Sequence, residues 1–500
     1  MLLPTSSRKN FAKLASPSAP VASNALSNSS AYKKKLYRYR PNAEPPLQTQ
    51  RTTTRTKAEP CDPRSIERGI RQLLADKISG NLVGLWLLIP EHLRLGTWDL
   101  LRGWTQKPSE RIEPRLALQL VHEAALCTTG IRERRALSQK GFELVNGLPF
   151  LASDVAVHEL LAAHTVAAAE NLQVALAKLR LASGHFSGKT LAIDPHRVRS
   201  YSKRQMRRHR SRATDKPTKV AQTFFVLDVD TCQPVCLTTG TSSRTVTQVT
   251  AELLELTSRI FPSRQDMLIL ADAEHFTAEL LDQLHKQTQF HLLVPMPQQA
   301  ALVQQLRALP PELFTPRWAG FATAKQLYTP RRSQQGPFHQ FIQRTGETPD
   351  SWEFKAFLAT RDGDEVTALT DAFPKRWHLE EFFNANQALG WDRAGTQNLN
   401  IRFGQMSLAL LAQAAIQQLR QRLGEPFSGW DATHLAQAIF QGLDGDVRVT
   451  DDTIMVTYYN APHAERLQRH YEGLPDKLKE QQIDPRIPWL YDYKLDFRFR

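Results

Sequence analysis

Apolar positions along the chain change their period twice. Through residue 62 they have none: the segment is rich in Ser, Pro, Thr and cations and reads as a disordered basic tail. From 63 to 183 the period is helical. Ile66, Ile70, Leu73 and Leu74 fall at i, i+4, i+7 and i+8, and "LALQLVHEAAL" (116–126) and "VHELLAAHTVAAAENLQVALAKLR" (157–180) repeat that spacing. This predicts a helical N-terminal domain, with room for a DNA-reading helix-turn-helix between about 115 and 145.

Short β-rich runs then take over: "TLAID" (190–194), "QTFFVLDVDT" (222–231), "QPVCLTTGTS" (233–242), "DMLILADA" (266–273) and "FHLLVPM" (290–296). Helical period returns at 245–261 and 277–287. The tight break at Cys232–Gln233 predicts an antiparallel hairpin. The strand–helix–strand–helix–strand succession after it predicts parallel neighbours. The expected fold class is α/β, a mixed sheet with helices on its faces. Residues 298–370 interrupt it with loops and strands, among them "SWEFKAFLAT" (351–360) and "EVTALT" (365–370). Helices are expected at about 373–389 and 402–422, then a hairpin around 444–459 and a helix near 463–481. The expected divisions are a tail (1–62), a helical domain (63–183), a core in two parts (184–297 and 371–425), a β-rich insertion (298–370) and a C-terminal region (426–500).

Composition is ordinary for a soluble protein, at 41% hydrophobic and 23% charged, and it is the charge that changes the picture. The net charge is +14, yet residues 1–60 and 195–220 each carry +9, so the remainder is negative. Two concentrated basic segments predict a nucleic-acid partner. In the first, "YKKKLYRYR" (32–40) interleaves aromatics with cations, a pattern suited to phosphate contact and base stacking. Cys61, Cys127, Cys232 and Cys236 are too few for a disulfide framework, and they lack zinc spacing, so all four are expected reduced. The longest apolar run, "LVGLWLLI" (82–89), is less than half a membrane span, and no secretory h-region follows the start. No membrane is expected, and a cytoplasmic, bacterial, nucleoid-associated location is.

The acids give the candidate chemistry. Asp194 is expected to end the first strand of the mixed sheet and Asp272 the fourth, and those two ends can lie side by side. Carboxylates so close cannot both ionise without a cation. With open coordination positions they suit Mg²⁺, or Mn²⁺ in its place. In "FPKRWHLEEFF" (373–383), Arg376, Glu380, Phe383 and Gln387 share one helical stripe, so Glu380 can join the two aspartates while Arg376 reaches a phosphate. Glu381 points elsewhere, into solvent. Behind Asp194 follow Lys203, Arg204, Arg207, Arg208 and Arg210, cations expected to meet a DNA backbone.

This layout resembles the DDE transposases of bacterial insertion sequences, in the group with a Tyr, Arg, Glu and Lys motif around the catalytic glutamate. The matching positions are Phe373, Arg376, Glu380 and Gln387, and "LAID", "LILADAEHF" and the terminal "IPWLYDYKLDFRF" also look like that family. Two positions depart from it, since Phe373 lacks a hydroxyl and Gln387 lacks a cation. The resemblance covers roughly residues 140–500. It implies an RNase-H-like catalytic core interrupted by a β-strand insertion, with Asp194, Asp272 and Glu380 as catalytic, metal-holding residues and two Mg²⁺ ions. It also implies double-stranded DNA as partner, both element ends and target, and a homodimer or higher assembly on DNA. A related nuclease that cuts without joining, or a domesticated DNA-binding protein without chemistry, would share most of these residues. Retention of all three acids argues against the second.

Other polar residues have plainer readings. Asp228 and Asp230 share one face of a hairpin strand and are expected to be solvated. Glu274 and His275 read as loop contacts and His378 as a surface residue. Trp318 and Trp352 read as core packing. "GHFSGKT" (184–190) mimics a phosphate loop but is one residue short and precedes a strand instead of a helix.

Overall fold

The computed structural model describes residues 62–500 apart from short segments at 81, 129–130, 202–204, 207, 211–213, 215, 241–244, 263–265, 286–288, 393–395 and 397. The basic tail with its "YKKKLYRYR" stretch lies outside the described residues. Helices dominate residues 63–183. The first, Pro63–Ala75, is capped by Asp62, whose carboxylate accepts the Ser65 N–H, and it buries Ile66, Ile70 and Leu74 on one face. A three-residue strand, β1 (Ile78–Gly80), interrupts the series.

The chain then builds a ten-stranded sheet. Its strands are β2 (Thr190–Arg199), β3 (Arg208–His209), β4 (Thr218–Asp228), β5 (Gln233–Gly240), β6 (Met267–Ala271), β7 (Phe290–Pro295), β8 (Thr315–Trp318), β9 (Phe321–Tyr328), β10 (Phe338–Thr345) and β11 (Glu353–Ala359). The order runs β4–β2–β6–β7–β11–β10–β9–β8, with β3 and β5 both on the far edge of β4. β2, β6 and β7 are parallel, while β4 and β5 form the expected antiparallel hairpin. Helices Val246–Ser258 and Ala278–His285 make the crossovers.

The central strands are apolar on both faces because both are covered. Leu191, Ile193, Ile269 and Leu292 pack with Leu253 and Leu281 on one side. Ala192, Phe225, Leu270 and Leu293 pack with Phe382 and Leu408 on the other. The insertion adds to this sheet, since β11 pairs antiparallel with β7.

Residues 365–370, expected as a strand, are helical. Asp364 accepts the Thr367 N–H as an N-cap, and helical geometry runs from Glu365 through Ala372. Val366, Thr367 and Thr370 favour strands by type, but the capping acid decides here. Trp318, expected in the core, is 53% exposed on the edge strand β8, stacked flat on Phe321.

The long helix Leu399–Leu423 leads into a second sheet. It comprises β12 (Gly445–Thr450), β13 (Thr453–Tyr458), β14 (Arg486–Ile487) and β15 (Tyr493–Phe499) in the order β1–β12–β13–β15–β14. The helix expected near 463–481 is two, Ala464–Tyr471 and Leu474–Glu480, broken at Gly473 with φ +68°. Among the described residues no single helix is long and apolar enough to cross a membrane. The apolar pair Asp154–Ala163 and Val166–Ala182 meets at 88°, with Leu160, Leu161, Leu172 and Leu176 buried in the core.

Candidate active site

The sheet register brings the two aspartates together. The parallel ladder of β2 and β6 ends at Ile193 opposite Ala271, so Asp194 and Asp272 are the next residue on each strand. β2 does not stop at Asp194, as the sequence suggested. It continues to Arg199 as an antiparallel partner of β4, whose register carries Arg199 to Val220. Asp194 therefore marks the end of the parallel ladder and not the end of the strand. Crevices at the carboxyl ends of parallel strands are where α/β sheets place their sites.

Each carboxylate is held differently. Asp272 caps the turn Ala273–His275, and both bonds to it end on Oδ1, from the Glu274 N–H at 3.0 Å and from His275 Nδ1 at 2.7 Å. His275 is fully buried and Glu274 pairs with Arg197, so both serve as loop contacts, as expected. Burial pushes the Asp272 carboxyl up, but the hydrogen bond and charge of His275 outweigh it and hold the group below the usual range. Asp194 moves the other way. Burial first, and then the neighbouring Asp272, push it up to about 6 against the pull of Arg376. Two carboxyls whose environments drive them apart suit a site that must accept a cation.

Glu380 reaches this edge on the helix His378–Asn386, preceded by a 3₁₀ turn from Phe373 to Trp377. Leu379, Phe382, Phe383 and Asn386 form its buried face. Phe382 and Phe383 meet Phe225 of β4, and Phe383 stacks on His196 of β2 with ring centroids 4.4 Å apart. His378 is half-buried, its Nδ1 2.8 Å from the Val229 carbonyl, and is not the free surface residue expected. These contacts lay the helix across the strand that carries Asp194. Phe373 packs edge-on against Phe357 where the motif has a hydroxyl, and Gln387 is exposed.

Arg376 joins the acids. Its Nη1 lies 3.3 Å from Asp194 Oδ2 and its Nη2 3.3 Å from Glu380 Oε1. The sequence pointed this guanidinium at a phosphate; in the structure it is the cation between two of the three carboxylates. Among the described residues no three of His, Cys, Asp and Glu come within common reach of a metal ion, so the three acids do not yet converge. Arg376 is the positive partner that Asp194 and Glu380 share here. The donor set still fits a hard divalent cation, being all carboxylate, with Asp272 Oδ2 turned away from both of its oriented hydrogen bonds.

The basic run lies beyond this edge. Arg199, Arg208 and Arg210 are exposed and form no ion pair with an acid among the described residues. Arg208 stands opposite Lys219 across β3 and β4. Lys203, Arg204 and Arg207 lie outside the described residues.

Asp228 corrects the sequence reading, because it is fully buried and not solvated. It accepts the Gly188 N–H at 2.7 Å, the Ser187 hydroxyl, and both the N–H and hydroxyl of Thr231. The turn that resembled a phosphate loop thus binds the protein's own carboxylate. Pattern alternation missed this because the residue ends its strand, where local turns decide.

Residues 185–414, a span containing the three acids and Arg376, match the family model for the transposase DDE domain. No curated protein matches the chain. Among solved structures, a cryo-EM structure of the piggyBac transposase synaptic complex with hairpin DNA is similar at a TM-score of 0.39 and 11% sequence identity, over 73% of this chain and 82% of that one.

Proposed function

We propose, since residues 185–414 match the family model for the transposase DDE domain, that the protein cuts the ends of its DNA element and joins them to target DNA by phosphoryl transfer. The observation that carries this is the β2–β6 register, which sets Asp194 beside Asp272, with Glu380 tied to the same edge through Arg376. The order β5–β4–β2–β6–β7, with only the last three parallel, supports the RNase-H-like core that the resemblance implies.

Asp194, Asp272 and Glu380 would hold divalent metal, Mg²⁺ with Mn²⁺ able to substitute. When bound, two such ions would supply activation of a water or 3′-hydroxyl nucleophile and stabilisation of the leaving oxygen. The chain's own residues supply position. His275 and the Glu274 N–H fix the rotation of Asp272, and the Phe225–Phe383–His196 packing fixes the helix under Glu380. Arg199, Arg208 and Arg210, with Lys203, Arg204 and Arg207 in the same run, grip backbone phosphates of the double-stranded ends and target. Assembly as a homodimer or larger on DNA would bring two ends together.

The test is strand cleavage of DNA bearing the element's ends, taken from inverted repeats flanking its gene, with Mg²⁺ and with chelator. Asp194→Asn, Asp272→Asn and Glu380→Gln should each bind DNA and fail to cut. Cleavage surviving in all three would overturn the assignment. Cutting without joining would reduce the activity to a nuclease, and tight end binding with no cutting in Mg²⁺ or Mn²⁺ would leave a DNA-binding protein.

A further inference from the structure

Arg376 contacts the oxygens that a metal would need. Asp194 Oδ2 and Glu380 Oε1 each face one of its terminal nitrogens, and a guanidinium and a divalent cation cannot both occupy that space. The helix has other anchors besides these ion pairs, its buried aromatic face and the His378 bond to the Val229 carbonyl. The guanidinium is not sealed from solvent, since its side chain, on the 3₁₀ turn, is 17% exposed. Outside lie Arg199, Arg208 and Arg210 of the basic run, where a DNA backbone would pass.

We infer that Arg376 is a tethered counter-ion, held by Asp194 and Glu380 until a DNA phosphate draws it away, so that the acid site loads metal well only on DNA. This positioning role rests on the phosphoryl-transfer reading above. It follows from competition for the same oxygens: whatever removes the guanidinium from them raises their affinity for metal. By linkage the effect is reciprocal, since bound metal frees Arg376 for phosphate. The chain would thereby avoid holding a loaded nucleolytic site when no DNA is in place.

The experiment is calorimetric titration of the full chain with Mn²⁺ at pH 8, with and without a short random-sequence duplex. Wild type should bind Mn²⁺ roughly five- to a hundredfold tighter when duplex is present, the range of an ordinary coupling. Arg376→Gln should bind Mn²⁺ without duplex about as tightly as wild type does with it, and duplex should add little. Arg376→Lys, which keeps the charge but lacks the two-pronged head, should show reduced coupling. It remains a usable variant should the glutamine form fail to fold. Asp194→Asn should lose this Mn²⁺ binding in every condition. Binding that is unchanged in Asp194→Asn would remove the metal site itself, and with it the proposed function. Binding that depends on Asp194, with wild-type affinity and coupling in both Arg376 variants, would overturn the counter-ion and leave the function standing.

Discussion

Asp266 and Asp272 bracket the same strand. One immediately precedes β6 and the other immediately follows it, and nothing in "DMLILAD" ranks them. The fold separates them completely. Asp266 is exposed, paired with Arg361 at 2.6 Å, and that hydrogen bond holds its carboxyl below the usual range. A cavity of about 380 Å³ opens beside it, floored by Leu268, Leu293 and Phe341. Asp272 is largely withdrawn from water, bonded to a fully buried histidine and next to a second acid whose carboxyl is pushed up to about 6. The same residue type at two ends of one strand is a solvated ion pair at one and half of a strained acid pair at the other. Charge alone therefore does not mark a site. The candidate site lies instead at the carboxyl end of the parallel ladder, where β2 and β6 part and each carries an aspartate next along the chain.

The widest separation between the two ends should appear in catalysis. Asp272→Asn should lower Mg²⁺-dependent cleavage by about a thousandfold or more, several kcal/mol at about 1.4 per tenfold. Asp266→Asn should cut as wild type does. Equal loss in both would erase the distinction.

A smaller effect concerns stability. Because the Asp194 carboxyl is raised in the folded state, the native protein takes up a proton there that the unfolded chain releases. Stability from this group is full below about pH 4 and is lost as pH rises through about 6. Asp194→Asn should then be more stable than wild type at pH 8, by on the order of 3 kcal/mol. The gain should shrink to nothing as pH falls towards 4, as read by denaturant midpoints across that range. A variant less stable than wild type at pH 8 would mean that the Arg376 ion pair outweighs burial.

Smaller still is the electrostatic grip. Replacing Arg208 and Arg210 by Gln should flatten the plot of log affinity against log salt by about 0.9 for each phosphate left without its cation. Replacing Lys189 and Arg361, at the other end of the strands, should leave that slope alone. At the bottom of the scale, Asp266→Asn should leave the melting curve within error, since exposed ion pairs add little.

Much of this was legible in the sequence. Hydrophobic period placed β4 through β7 and the crossover helices because those segments are long runs with one dominant environment. Asp194 and Asp272 stood out because each follows an apolar run that ends abruptly, and Glu380 because it shares a helical stripe with Arg376. What could not be read depended on partners far along the chain. Asp194 looked like a strand end because the ladder that continues past it is with β4, whose pairing residues begin at 220. Asp228 looked solvated because its partners Ser187 and Gly188 come from a turn some forty residues earlier. Arg376 was placed on the right stripe, but its partner among the acids is a matter of charge balance, which spacing does not contain.

The small sheet that joins early and late segments of the chain has a consequence for synthesis. β1, at residues 78–80, finds its partner only when residues 445–447 have been made, and Trp489 donates its ring N–H to the Val145 carbonyl. The apolar faces of the first helices are buried in one core with Leu467, Tyr471, Ile487 and Phe497. A nascent chain must therefore wait, with those faces uncovered, until residues 445–497 have left the ribosome. Long-range contacts of this kind slow folding and expose the intermediate to capture. A message cut short before residue 445 would yield a chain that cannot close this core, so such termination would leave few stable fragments able to occupy DNA in competition with the intact protein.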